Sequence, residues 1–205
     1  MRKYLHSEMH KVSAILLAAG LSNRMQGPNK LLMHLDGTPI ISQTYAALVS
    51  SEINHVVVVT GRDADTLKEV ITLRDNDQFV HNEAFETGMT SSIQTGLKQI
   101  LDSQAVIICL GDMPLLTSED YDLLINTFEK MAGADKILVP WYNETRANPV
   151  IFGSDFFGEI SQHKAANGCV GVIKNHPEKV LNLKVASERF IRDLDTPEDF
   201  KKLKA

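Results

Sequence analysis

Short runs of β-branched and aliphatic residues alternate along the chain with longer segments whose apolar positions recur at helical spacing. Strands are expected at 12–18, 55–60, 78–81, 105–109 and 136–140, with helices at 39–51, 64–73, 88–101 and 118–131. That alternation defines βα units around a mostly parallel sheet. Val56-Val57-Val58-Val59 and Ala105-Val106-Ile107-Ile108-Cys109 are apolar without a break, as central strands covered by helices on both faces must be. The expected class is therefore α/β with a doubly wound sheet. After Pro140 the period weakens to a strand at 148–152, a short helix at 166–175 and a strand at 180–185, read as a small C-terminal β-containing lobe. A last helix is expected after Asp195-Thr196-Pro197, where Asp195 or Thr196 caps and Pro197 suits the first turn.

Doubly wound sheets bind ligands beyond the carboxyl ends of their strands. The positions of interest are then 19–30, 60–63, 82–92 and 111–114. The first of these follows Leu17-Ala18-Ala19-Gly20, where small residues let the backbone turn and set its N–H groups against an anion. Ser22 adds a hydroxyl to this loop, and Arg24 and Lys30 add two cations. Arginine clamps phosphate oxygens bidentately while lysine acts as a mobile point charge, which suits a triphosphate and its leaving pyrophosphate. A glycine turn carrying two solvated cations is the competing reading. Neither a Walker A loop nor G-x-G-x-x-G is present, so the standard phosphate-loop and dinucleotide motifs do not apply.

Composition narrows the partners. A net charge of −5 with no long Lys/Arg run favours neither nucleic acid nor an anionic membrane, and points to a small-molecule ligand. The 205 residues suit one domain over 1–205, with 1–11 as a polar N-terminal extension lacking the apolar core of a signal peptide. Two distant cysteines, Cys109 and Cys169, fit a reducing, cytoplasmic setting better than a disulfide framework. The histidines are scattered without ligand spacing, so no zinc is expected.

Five segments in order carry a resemblance. They are Leu17–Lys30, Gly88-Met89-Thr90-Ser91-Ser92-Ile93-Gln94-Thr95-Gly96-Leu97, Leu110-Gly111-Asp112-Met113-Pro114-Leu115, Asn148-Pro149-Val150-Ile151-Phe152 and Asp193-Leu194-Asp195-Thr196-Pro197-Glu198-Asp199. Together they resemble the molybdenum cofactor nucleotidyltransferases, the MobA-like NTP transferases, from about Ser13 to Lys202. Two departures stand out: Gln26 lengthens the first loop, and Arg146-Ala147-Asn148-Pro149 stands where the family commonly shows R-G-H-P.

The resemblance implies a Rossmann-like nucleotidyltransferase fold and Mg2+-dependent transfer of a nucleoside monophosphate to molybdopterin-bound molybdenum. Asp112 would hold Mg2+, a hard cation that takes one or two carboxylates plus phosphate oxygens and water; capping of the turn before Pro114 is the alternative. Asp195 either supplies a second carboxylate or N-caps the last helix. Arg24, Lys30 and the amides of Ala19 and Gly20 would stabilise the phosphates. Gly88, Ser91 and Ser92 open a helix whose free N–H groups and hydroxyls can hold an anion or simply cap it. Thr60, Gly61 and Asn82 fall where the family contacts base and ribose, with loop capping as the competing role.

Leu-Ala-Ala-Gly and Asp-Leu-Asp-Thr-Pro resemble the cytidylyltransferase branch, so CTP is the expected donor and molybdenum cofactor the acceptor. The alternatives are a GTP-using guanylyltransferase of the same family and a non-catalytic carrier that delivers the cofactor to a molybdenum hydroxylase. A dinucleotide-dependent oxidoreductase shares the fold class but lacks its glycine motif.

Overall fold

The computed structural model describes residues 12–20, 29–131 and 133–194. The N-terminal extension 1–11, most of the first loop, and the helix expected after Asp195 lie outside these residues.

The elements run β1 (Val12–Ala18), β2 (His34–Leu35), β3 (Thr38–Pro39), α1 (Ile40–Val49), β4 (His55–Thr60), α2 (Ala64–Val70), β5 (Gln78–His81), α3 (Met89–Leu97), β6 (Ala105–Leu110), α4 (Ser118–Met131), β7 (Ile137–Tyr142), β8 (Thr145–Arg146), β9 (Val150–Gly153), α5 (Phe157–Gln162), α6 (Val170–Asn175) and β10 (Val180–Lys184). The main sheet has the order β10-β7-β9-β6-β1-β4-β5, with β8 attached to β7, and β2 and β3 form a separate two-stranded hairpin. Strands β6, β1, β4 and β5 are parallel, whereas β9 runs antiparallel to both of its neighbours, β6 and β7.

The unbroken apolar runs are explained by cores on both faces. Ala14, Leu16, Val56, Val58, Ile107 and Cys109 point into one core, with Tyr45 and Leu48 of α1 and Tyr121 and Leu124 of α4. Their neighbours Ile15, Val57, Val59, Val106 and Ile108 point into the other, with Ile93 and Leu97 of α3, Ile160 of α5 and Val172 of α6. Successive strand residues face opposite ways, so a strand buried on both sides is apolar along most of its length. Full burial of each such aliphatic side chain contributes about 1.5–3 kcal/mol.

The strands expected in a C-terminal lobe are continuous with this sheet. Val150, Ile151 and Phe152 of β9 are buried between β6 and β7, and β10 pairs in parallel with β7. The reason is edge satisfaction: β6 has unpaired N–H and C=O groups on the side away from β1, and a hydrophobic strand returning from β7 covers them. On its other side β9 packs closely against the segment entering β7: a Cβ at Gly153 would lie 2.1 Å from the Ala134 carbonyl oxygen.

Candidate active site

A cleft of about 420 Å3 opens at the carboxyl ends of β1 and β6. Leu17, Ala19 and Gly20 reach it from β1, Lys30 and Leu31 from the following turn, Gly88, Met89 and Ser92 from the start of α3, and Leu110, Gly111 and Asp112 from the end of β6. Phe85, Glu86 and Asp193 complete its wall.

Each charged group is placed by local structure. Asn29 caps the single 3-10 turn Lys30–Leu32 by accepting the Leu31 N–H at 3.1 Å, while its amide donates to Asp63 beyond β4 at 3.2 Å. Lys30 is thus held at a fixed start. Asp112 follows Gly111, whose N–H donates to the Leu17 carbonyl at 3.0 Å and whose carbonyl accepts the Thr44 hydroxyl at 3.1 Å. A Cβ at 111 would lie 2.7 Å from the Leu17 carbonyl oxygen, so only glycine lets β6 and β1 approach this closely before the aspartate. The Asp112 carbonyl in turn accepts the Leu194 N–H at 3.0 Å, which draws Asp193 to the cleft. Further back, Arg189 pairs with the buried Asp120 at the start of α4, and buried Phe190 accepts the Asn148 N–H.

The Lys30 ammonium donates to Asp112 Oδ2. The other carboxylate oxygen, Asp112 Oδ1, is buried and has no hydrogen-bond partner among the described residues. An ionised carboxylate oxygen withdrawn from water without a partner is costly, and a cation relieves that cost. Among the described residues the cleft sets Lys30 against Glu86, Asp112 and Asp193, an excess of negative charge. Oxygen donors at Asp112 and Asp193 fit a hard divalent cation that keeps water and phosphate as its remaining ligands.

Helix α3 begins on the cleft. Gly88 has φ +118°, and a Cβ there would lie 2.6 Å from the Ala166 carbonyl oxygen, so the chain can enter the helix at this angle only through glycine. Its N-cap, Gly88, offers no side-chain cap, so the first N–H groups of the helix are available to an anion in the cleft.

Of the residues singled out from the sequence, Leu17, Ala19, Gly20, Lys30, Gly88, Ser92 and Asp112 come together on the cleft wall. Ala18 is fully buried in the core. Thr60 is also buried, with its hydroxyl directed at the Val80 carbonyl, and Gly61 packs against Phe85 and Ala19. Asn82 is buried in an internal network: its amide donates to the Ser91 and Ser92 hydroxyls at 2.9 and 3.0 Å, and its carbonyl accepts the Ala84 N–H. Ser91 in turn donates within the turn that precedes α3. Ser22, Arg24 and Asp195 lie outside the described residues. Phe85, Glu86, Met89 and Asp193 were not anticipated. The aspartate had a signal, since Asp193 and Asp195 stand two apart in one segment, but which of them faces a cleft depends on how that segment docks.

Both cysteines are buried; burial pushes the Cys169 thiol up to about 12 and the Cys109 thiol higher, so neither is a thiolate nucleophile at neutral pH.

A doubly wound sheet with a lysine–aspartate pair at the ends of its central strands, and a helix N-terminus on the same cleft, is an α/β domain whose cleft offers groups for both an anion and a cation. The chain belongs to the MobA-like NTP transferase domain family, whose pattern matches residues 14–180. Its relatives include the bifunctional protein GlmU of Acetivibrio thermocellus, 26% identical over 190 residues that cover 92% of this chain and 37% of GlmU. The chain thus spans little more than a third of that relative's length. A probable molybdenum cofactor guanylyltransferase of Methanosarcina acetivorans is 28% identical, with 67% of this chain and 61% of the relative covered. Among solved structures, Rv0371c of Mycobacterium tuberculosis superposes with a TM-score of 0.81 at 22% identity, covering 96% of this chain and all of that one. The same mycobacterial protein has also been solved in complex with manganese, with a TM-score of 0.74, 22% identity, and 94% of this chain and 97% of that one covered. No helix among the described residues is long and apolar enough to cross a membrane.

Proposed function

We propose that the cleft transfers CMP from CTP to the terminal phosphate of molybdenum cofactor, releasing pyrophosphate, with Mg2+ as the metal. The observation that carries this reading is Asp112, with one oxygen on Lys30 and the other buried and unpartnered among the described residues, in the cleft that Asp193 also lines.

In this reaction an oxygen of the acceptor phosphate forms a bond to the α-phosphorus of CTP. The bond from that phosphorus to the oxygen bridging the α and β positions breaks, and pyrophosphate leaves with the electron pair. The acceptor phosphate is already anionic at neutral pH, so no general base is required. The protein's task is alignment and charge stabilisation.

Asp112 and Asp193 would hold the divalent cation, which when bound offsets charge on the phosphates and so permits a triphosphate beside three carboxylates. Lys30 would exchange Asp112 for phosphate oxygens. Arg24 and Ser22, with the amides of Ala19 and Gly20, would bind the phosphates, and the first turn of α3, with Gly88 and Ser92, would offer its N–H groups to a second anion. Asn82 and Ser91 would act by fixing that turn, while Thr60 and Gly61 would support Phe85 and the end of β4. The choice of CTP rests on Leu17-Ala18-Ala19-Gly20 and Asp193-Leu194-Asp195-Thr196-Pro197. The methanogen relative favours GTP as the second reading. The dinucleotide product would be passed to a molybdenum hydroxylase.

The test is pyrophosphate release by the protein with Mg2+, molybdenum cofactor and each of CTP, GTP and ATP. CTP is expected to give the highest kcat/KM. A preference for GTP would assign the guanylyl reaction, and cofactor binding without release from any triphosphate would assign a carrier.

A further inference from the structure

The two carboxylates assigned to the metal, Asp112 and Asp193, stand on segments that are joined at two points. At the cleft, the Leu194 N–H donates to the Asp112 carbonyl at 3.0 Å. Away from it, Arg189 pairs with Asp120 in the first turn of α4: Nη2 donates to Oδ1 at 3.0 Å, and Nε lies 2.9 Å from Oδ2. Neither Arg189 nor Asp120 is part of the cleft wall. This pair spans 69 residues, whereas Arg62–Asp63, Arg74–Asp77 and Arg192–Glu188 each lie within about one turn of chain and hold only their own segments.

Between the two joins each segment is held. From Asp112 the chain makes one turn, in which the Leu116 N–H donates to the Met113 carbonyl and both side chains are buried, and arrives at Thr117. There the Thr117 N–H and hydroxyl donate to Asp120 Oδ2 at 3.0 and 3.3 Å, while the Asp120 N–H donates to the Thr117 carbonyl at 3.1 Å. A carboxylate three residues into a helix start that reaches back to the preceding N–H fixes both ends of that turn. On the other segment the Ser187 hydroxyl accepts the Arg189 N–H at 3.2 Å and caps the 3-10 turn Glu188–Ile191, and buried Phe190 and Leu194 anchor the stretch that carries Asp193. Asp112 and Asp193 therefore sit at one end of a closed ring whose far link is the buried Asp120 carboxylate, shared between the two segments.

We propose that the Asp120–Arg189 pair is a latch that sets the placement of Asp193 relative to Asp112, and that Arg189 is thereby a positioning residue for the divalent cation. This rests on the reading of those two carboxylates as the metal-holding pair. An ion pair withdrawn from water adds little net stability, because desolvation offsets the attraction, and its value lies in fixing the register of the parts it joins. Register matters here because Mg2+ holds its oxygens in near-ideal octahedral geometry, so a second carboxylate that drifts contributes little. The planar fork of arginine suits the role, since two bonds to one carboxylate fix an angle as well as a distance. Arg189 acts through Asp193 and not through its own charge, whose field repels a cation.

The experiment is titration of the full chain with Mn2+ by paramagnetic resonance, in wild type, Arg189→Met, Asp193→Asn and the double variant, each shown to be folded by a cooperative melting transition. Arg189→Met should weaken Mn2+ by about threefold to tenfold, within the range of coupling between residues of one network. Added to Asp193→Asn, the same change should alter affinity by less than about twofold, because the carboxylate it positions is already gone. Arg189→Lys, which keeps a counter-charge on Asp120 but loses the fork, should fall between Arg189→Met and wild type. If Arg189→Met does not fold, Arg189→Lys carries the same comparison in both backgrounds. General loosening of the fold predicts equal weakening in both backgrounds, and loss of charge alone predicts tighter Mn2+. Either result, or an unchanged affinity, would overturn the proposal. Failure of the metal reading itself has a different signature: wild type would bind Mn2+ no more tightly than Asp112→Asn, and the proposal would fall with it.

Discussion

Lys30 and Asp112, 82 residues apart in sequence, form an ion pair at the mouth of two adjacent parallel strands. The pair neutralises charge that a metal and a triphosphate would otherwise meet. Lys30 and a divalent cation therefore compete for the same carboxylate until a nucleotide gives the lysine a better partner.

That competition makes opposite predictions for binding and turnover in Lys30→Met. Affinity for Mn2+ without nucleotide, read by paramagnetic resonance, should rise by about threefold to tenfold, because the freed carboxylate gains a partner of higher charge. Turnover should fall by about 10²–10³-fold, the scale seen when a preorganised charge stabiliser is lost. Mn2+ affinity that stays the same or falls would show that Lys30 does not screen the metal position.

Asp112→Asn removes the negative charge while keeping the shape. Metal-dependent pyrophosphate release should drop by at least about 10³-fold, as expected for loss of an electrostatic centre. The melting temperature should remain within a few degrees of wild type, because Oδ1 has no hydrogen-bond partner among the described residues and an asparagine oxygen can still accept from Lys30. Retained release would move the metal elsewhere.

Asp193 and Asp195 are separated by comparing their asparagine variants. Asp193→Asn should weaken Mn2+ about tenfold, a normal effect for one carboxylate near a divalent ion. Asp195→Asn should change it less, since it is Asp193 that the Leu194 hydrogen bond brings to the cleft. The reverse order would assign the second carboxylate to Asp195.

A buried network on the far side of the sheet predicts a pH signature in stability. Burial, and then its hydrogen bond to Asp77, push the Tyr45 phenol up to about 12. Burial also pushes the Asp77 carboxyl up, but hydrogen bonds from Arg74, Tyr45 and the Val56 N–H outweigh it and hold the carboxyl below its ordinary range. The Tyr45 contribution is therefore complete below pH 10 and is lost as pH climbs from 10 toward 12. The Asp77 contribution is complete above its ordinary carboxylate range and is lost in more acidic solution. Tyr45→Phe should cost about 1–3 kcal/mol at pH 7. Melting curves should show the gap to wild type narrowing above pH 10; a constant gap would place the phenol at its ordinary value.

Hydrophobic pattern alone was enough to locate the buried strands and the alternation of helices, because a strand covered on both faces is apolar along most of its length, and that leaves a trace in a short window of residues. Leu17-Ala18-Ala19-Gly20 and Asp112 were legible for a related reason, since they stand at the ends of such strands, where ligands collect, and Lys30 was legible as a cation of the loop that follows the first of them. The ion pair between Lys30 and Asp112, the burial of Asn82 behind Ser91 and Ser92, and the arrival of Asp193 in place beside Asp112 were not legible. They depend on contacts between segments distant in sequence, which no local period records. Strand β9 shows the same limit, since its apolar sequence announced a strand, but only the unpaired edge of β6 decided that it would join the main sheet. Sequence determined which segments had to be buried and which residue types stood at their ends; tertiary structure decided which of those ends met, because pairing energy and charge neutralisation are properties of neighbours in space.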